Sequence, residues 1–161
     1  MQEHGLKISE LVTLFNLEVL NRGSDYDTAL LTITDVNRPG LQFHSFYDYF
    51  DPRRLQVLGK AEITYLKGLT TEQRRKCFDD LFLYDIPALV ISRGLDCFPE
   101  CLESARVHER TLLRTEETTV EFTSHTIEYL NRVLAPCVTR HGVLLDISGE
   151  GVMITGDSGI G

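Results

Sequence analysis

Apolar and polar residues alternate along this chain in patterns that predict short strands separated by amphipathic helices. Apolar runs of strand length occur at residues 17–20, 29–33, 55–58, 88–91 and 111–114. Apolar residues spaced three and four positions apart predict helices at residues 8–15, 61–67, 70–82, 99–108 and 118–134. Strands and helices therefore follow one another in turn, which favours an α/β fold: a layered sheet with helices on its faces and largely parallel strands.

Local signals support this assignment. Thr70 and Thr118 are followed three residues later by Gln73 and Glu121, the spacing of a capping box in which two side chains satisfy backbone N–H groups at a helix start. Residues 88–91 are apolar throughout, as expected for a parallel strand that helices cover on both faces. Ligands of such folds bind at the carboxyl ends of the strands.

The pattern changes after Pro136, which ends the last long helix. Residues 142–147 and 151–155 are predicted to be strands of a β-hairpin, with its turn at Ser148-Gly149-Glu150. A hairpin of this size does not bury a core of its own. We therefore predict an amino-terminal α/β domain at residues 1–135, followed by a linker and the first hairpin of a second, incomplete domain at 136–161.

The charge balance excludes some classes of partner. The 161 residues contain 16 Lys and Arg against 24 Asp and Glu, a net charge of −8. Nucleic acids and anionic membranes require a basic surface, so neither is expected as a partner. The chain has neither a secretion signal at Met1 nor an apolar run of about 18 residues, which predicts a cytoplasmic protein whose four cysteines are free thiols.

The last residues contain half of a phosphate-binding motif. Gly156 and Gly161 follow the apolar strand at 151–155 with the G-x-x-x-x-G spacing of a loop whose backbone N–H groups surround phosphates. The motif's lysine and hydroxyl residue would come directly after Gly161. Without them, a glycine-rich surface loop remains the alternative. His141, at the start of the first hairpin strand, is either structural or catalytic, and the spacing of the cysteines and histidines predicts no metal site.

Several segments together resemble the bacterial HPr kinase/phosphorylase family. Each segment alone is loosely defined, but their order and spacing are specific. They are Asp35-Val36-Asn37-Arg38-Pro39-Gly40-Leu41, Leu58-Gly59-Lys60, Ser92-Arg93-Gly94-Leu95, His141-Gly142-Val143 and Gly156-Asp157-Ser158-Gly159-Ile160-Gly161.

The resemblance implies a regulatory or assembly domain with a fold like the substrate domain of Mur ligases, then a P-loop kinase domain. It implies a hexameric, cytoplasmic, Mg²⁺-dependent enzyme of carbon catabolite control. Such an enzyme phosphorylates a serine of the phosphocarrier HPr with ATP or pyrophosphate, and removes the phosphate by phosphorolysis. His141 matches an active-site histidine, and Gly156, Asp157, Ser158, Gly159, Ile160 and Gly161 match the start of the nucleotide-binding loop.

The loop's lysine and metal-binding serine, and the family's catalytic aspartate, would all lie beyond Gly161. Phosphoryl transfer depends on these groups. We therefore expect the 161-residue chain to be inactive towards ATP and to bind no cofactor tightly.

Two arginines at predicted strand ends are candidate effector-binding residues. Arg38 and Arg93 lie in glycine loops, where a guanidinium group can bind a phosphate or carboxylate of a metabolite. The alternative is that both arginines cap loops or pair with carboxylates of the protein. Two other functions remain open for the chain: a stand-alone metabolite-binding regulatory module without kinase activity, and an unrelated nucleotide hydrolase.

Overall fold

A computed structural model describes residues 4–136, 143–147 and 150–154. The helices of this part are α1 (Ile8–Phe15), α2 (Gly40–Phe43), α3 (Lys60–Lys67), α4 (Thr71–Phe82), α5 (Pro99–Val107) and α6 (Thr119–Val133). The strands are β1 (Leu6–Lys7), β2 (Glu18–Asn21), β3 (Leu30–Leu31), β4 (Val36–Asn37), β5 (Leu55–Leu58), β6 (Leu89–Ile91), β7 (Leu112–Arg114), β8 (Val143–Ile147) and β9 (Glu150–Ile154).

The main sheet has five strands in the order β2-β7-β6-β5-β4. Strands β4 to β7 are parallel and neighbour one another in chain order, while β2 pairs antiparallel with β7 at the edge. Val90 in the central strand lies between Val57 of β5 and Leu113 of β7. The prediction of a mixed α/β fold with a largely parallel sheet and flanking helices is confirmed.

Helices cover both faces of this sheet. Each crossover between neighbouring parallel strands turns in the same direction, so successive crossover helices lie on the same face. Helices α2 to α5 therefore share one apolar cluster, with Phe78 at 0% exposure. Helices α1 and α6 pack on the opposite face, where Phe122 is equally buried. The predicted strand at 88–91 contributes alternate side chains to the two clusters, which explains why all four of its residues are apolar.

Two local predictions differ from the structure. Residues 29–33, predicted as one strand, contain only the two-residue β3, which pairs with β1 outside the main sheet. Residues 35–40, where Arg38 was predicted to lie in a glycine loop at a strand end, instead contain β4 and the first residue of α2. Pairing with Leu55 and Gln56 of β5 makes a strand of Val36 and Asn37, a tertiary contact that local sequence does not encode.

The predicted carboxyl-terminal hairpin is present. Strands β8 and β9 pair antiparallel with Ile147 opposite Glu150, so Glu150 belongs to β9 rather than to the turn. Ser148 and Gly149 lie outside the described residues, as do 137–142 and 155–161. The domain boundary at 135/136, the Mur ligase-like fold and the assignment of the hairpin to a P-loop kinase domain stay predictions. No helix within the described ranges combines the length and apolarity needed to cross a membrane.

Candidate functional site

The residues that follow the parallel strands lie together at one edge of the sheet, here called the carboxyl edge. Strands β4, β5, β6 and β7 all end there because neighbouring parallel strands run in the same direction. The segments of the carboxyl edge begin after Asn37, Leu58, Ile91 and Arg114. Both arginines singled out in the sequence, Arg38 and Arg93, belong to these segments.

Arg38 is held by a carboxylate of α3. Its Nε and Nη2 donate to Oε1 and Oε2 of Glu62, both at 2.7 Å, in a bidentate pair. The Glu62 side chain is only 7% exposed, whereas that of Arg38 is 46% exposed. Oε2 of Glu62 also accepts the backbone N–H of Gly59 at 3.1 Å. The guanidinium group is therefore fixed in position and still reaches solvent.

Gly59 allows the carboxyl edge to pack closely. A β-carbon at this position would lie 2.6 Å from both Nη2 of Arg38 and Oγ1 of Thr119. The Thr119 hydroxyl is itself 2.6 Å from Oγ of Ser92, which donates to the carbonyl of Leu58 at 2.9 Å. Glycine at position 59 thus lets side chains that follow three different strands meet over β5.

Arg93 and Gly94 form a turn with unusual backbone angles. Their φ values are +59° and +60°, the left-handed region that favours glycine and disfavours arginine. The N–H of Arg93 donates to the carbonyl of Glu117 at 2.7 Å, and that of Gly94 donates to the carbonyl of Thr115 at 2.8 Å. The loop after β7 therefore fixes this turn and uses both backbone donors, so a ligand here would contact side chains.

The Arg93 side chain is exposed and forms no ion pair with any carboxylate of the described residues. The neighbouring Glu117 directs Oε1 towards Nδ1 of His125 at 3.0 Å, while its buried Oε2 has no hydrogen-bond partner among the described groups. Backbone strain is often retained where a side chain has a function. The exposed Arg93 guanidinium can therefore bind an anion, against the repulsion of the neighbouring Glu117 carboxylate.

A groove of about 450 Å³ runs from Arg38 between α2 and α3. Sequence reasoning missed it, although Glu62 stands three residues after Gly59, the position from which a glutamate accepts the N–H of the N-cap residue. The rings of His44 and Tyr65 lie 4.5 Å apart in this groove. A β-carbon on Gly40 would meet nothing within 4 Å, so packing does not require glycine at this position. The groove is lined by Arg38, Gly40, Leu41, His44, Ala61, Glu62 and Tyr65.

The other predicted site residues are not placed. His141 and Gly156 to Gly161 lie outside the described residues. Within the described residues, no three His, Cys, Asp or Glu side chains are grouped so that they could hold a metal ion.

The fold resembles that of a known regulatory region. It matches the crystal structure of the CBS and DRTGG domains of the regulatory region of Clostridium perfringens pyrophosphatase, complexed with the activator diadenosine tetraphosphate. The match covers 79% of this chain and 49% of that one. The TM-score is 0.53 and the sequence identity 15%, so this likeness concerns the fold alone. The molecule is thus a mixed α/β domain of a type that also occurs in that region.

Its sequence relatives are more specific. Residues 6–130 match the family model described as HPr Serine kinase N terminus, and the chain belongs to this family, as the resemblance indicated. It is 44% identical over 156 residues to the HPr kinase/phosphorylase of Alkaliphilus metalliredigens, covering 97% of this chain and 50% of that protein. It is 43% identical over 157 residues to that of Clostridium tetani, covering 98% and 51%. The chain spans about half the length of the curated relatives that it matches.

Proposed function

We propose that this chain is the amino-terminal regulatory or assembly domain of a bifunctional HPr kinase/phosphorylase, joined to the start of its kinase domain. The main support is the extent of the similarity: identity of 44% with an HPr kinase/phosphorylase covers 97% of the chain, beyond the family model's end at residue 130. In this proposal the whole enzyme is a cytoplasmic homo-oligomer, a hexamer in the resembled family. It acts in carbon catabolite control.

The whole enzyme transfers phosphate from ATP or pyrophosphate to a serine of HPr, and removes it by phosphorolysis. The backbone of Gly156 to Gly161 would surround the nucleotide phosphates, and His141 would lie at the active site. Mg²⁺ and a lysine after Gly161 would neutralise the charge on the transferred phosphoryl group. The 161 residues of this chain lack that lysine, so the chain alone would not perform the transfer.

Two experiments test this proposal. The gene is sequenced past the codon for Gly161, where Lys followed by Ser or Thr is expected and a stop codon would favour the stand-alone binding module. The 161-residue chain and the full gene product are then each incubated with ATP, Mg²⁺ and HPr. Phospho-HPr is expected with the full product and absent with the chain alone. Turnover by the chain, or none by the full product, would contradict the proposal.

We further propose that the carboxyl edge binds an anionic metabolite through Arg93, with the guanidinium group of Arg38, which is already paired with Glu62, as a second contact. The supporting observation is that Arg93 keeps an exposed guanidinium group, unpaired among the described residues, on a strained backbone. Phosphorylated sugars are suitable probes, and we expect them to raise the melting temperature of the wild-type chain but not of Arg93→Ala. Arg106→Ala is the matched control, since Arg106 is exposed on α5 away from this edge. An equal response of both variants would refute the site.

A further inference from the structure

Two cysteines lie together at the start of α5. Cys97 immediately precedes Phe98, the N-cap of α5, and Cys101 is the third residue of the helix. A residue before the N-cap commonly folds back against the first helical turn. Both side chains accordingly belong to the same apolar cluster, and the Cys97 thiol donates to the carbonyl of Phe98 at 3.4 Å.

The two thiols differ in their access to solvent. Cys101 is 1% exposed, whereas Cys97 is only half-buried. Cys97 also lines a cavity of about 340 Å³ whose other walls include Lys67 and Asp96. A small polar oxidant therefore has a route to Cys97 but not to Cys101.

The electrostatic environment assigns different chemistry to the two sulfurs. The neighbouring Cys101 thiol and the positive charge of Arg114 lower the pKa of the Cys97 thiol, against the effect of burial. Burial and the neighbouring Cys97 sulfur raise the pKa of the Cys101 thiol. The thiolate is the reactive form of cysteine. Cys97, which lines the cavity and is the more exposed of the two, is therefore the nucleophile of the pair, and the buried Cys101 is its resolving partner.

We propose that Cys97 and Cys101 are a peroxide-responsive thiol pair that closes to an intramolecular disulfide. The Cys97 thiolate attacks one oxygen of hydrogen peroxide, the O–O bond breaks, hydroxide leaves and Cys97 becomes a sulfenic acid. The Cys101 sulfur then attacks the Cys97 sulfur, the S–O bond breaks, and water leaves with the Cys101 proton. Two thiols are oxidised to one disulfide, and one peroxide is reduced to two waters.

The position of the pair gives the reaction a structural consequence. Residues 95–98 connect the Arg93–Gly94 turn to α5, and the carbonyl of Leu95 accepts a hydrogen bond from Nη1 of Arg114 at 3.3 Å. A disulfide would tie the end of this connection to the first turn of α5. This inference goes beyond the proposed function, because it requires neither HPr nor a bound metabolite.

Mass spectrometry of the reduced chain treated with one equivalent of hydrogen peroxide tests the proposal. After alkylation of the remaining thiols in denaturant and trypsin digestion, both cysteines lie in one peptide, residues 94–106. This peptide is expected to lose two hydrogen atoms and to carry no alkyl group. Cys77→Ala is the matched control, since Cys77 is a buried cysteine whose thiol donates to the carbonyl of Phe43, and it should behave as wild type.

Single variants separate the two roles. Cys101→Ala should accumulate a sulfenic acid at Cys97 that dimedone traps, and Cys97→Ala should leave Cys101 alkylated rather than oxidised. Circular dichroism is used to check that each variant is folded. If a variant is not folded, the peptide map of the wild-type chain still tests the proposal. Full alkylation of the 94–106 peptide after peroxide, or preferential oxidation of Cys77, would overturn the proposal.

Discussion

Replacing Arg93 by glycine is expected to stabilise the protein. Arg93 has φ of +59°, a conformation that costs a residue with a β-carbon roughly 1–2 kcal/mol and costs glycine almost nothing. Glycine also makes the unfolded chain more flexible, which offsets about 0.4–1 kcal/mol of this gain. The hydrogen bond from the backbone N–H of residue 93 to Glu117 does not depend on the side chain. The difference between these two effects is a gain of about 0–1.6 kcal/mol in the free energy of unfolding, and the middle of both ranges gives about 0.5–1 kcal/mol.

Thermal unfolding followed by circular dichroism measures this difference. In a chain of this length the gain corresponds to a rise of about 1–4 °C in melting temperature. Arg93→Ala is the matched control, because it removes the guanidinium group but keeps the β-carbon and its strain, so its stability should change by less than about 0.5 kcal/mol. A lower melting temperature for Arg93→Gly, or an equal rise for Arg93→Ala, would refute the reasoning.

Three further changes test other parts of the structure. Glu62→Gln removes the charge that holds Arg38. Because Arg38 is half-exposed, we expect the free energy of unfolding, measured with urea, to fall by about 1–3 kcal/mol. An unchanged free energy of unfolding would show that the ion pair contributes little to stability. Phe78→Ala, at a fully buried site, should cost about 3–5 kcal/mol in the same measurement, and a cost below about 1 kcal/mol would contradict the packing described. Hydrogen bonds from Arg53 lower the pKa of Asp51 from 3.8 to about 2. The pair therefore stabilises the fold above about pH 4 and loses this effect as the pH falls through 2. NMR titration should show the Asp51 carboxyl titrating near pH 2 in wild type and at higher pH in Arg53→Ala, in which the backbone N–H of residue 53 still donates to Oδ1; an unchanged titration would exclude the Arg53 side chain as the cause.

Elements with strong local signals were predictable from the sequence. The capping boxes at Thr70 and Thr118 are both present, and each threonine accepts the backbone N–H three residues later. The apolar run at 88–91 contains the buried central strand β6 (Leu89–Ile91). These features were predictable because capping residues and complete burial leave their pattern within a few neighbouring positions.

Features that depend on distant partners were not predictable. The two residues of β4 form a strand only by pairing with β5, and the antiparallel addition of β2 to β7 joins distant parts of the chain. The same holds for the candidate site. The sequence located Arg38 and Arg93 at strand ends, but neither the Glu62 partner of Arg38 nor the left-handed backbone of Arg93 is encoded in the spacing of their neighbours.

The order of strands in the sheet has a consequence for synthesis on the ribosome. Strands β4 to β7 can add to the growing sheet one after another, each beside the strand made before it. Strand β2 is made early, yet its partner β7 emerges much later, since Val19 pairs with Leu113. At ordinary rates of translation β2 waits roughly 5–20 s for this partner. During that interval the nascent chain carries an unpaired strand, which is the stage at which a chaperone or a neighbouring nascent chain could bind it.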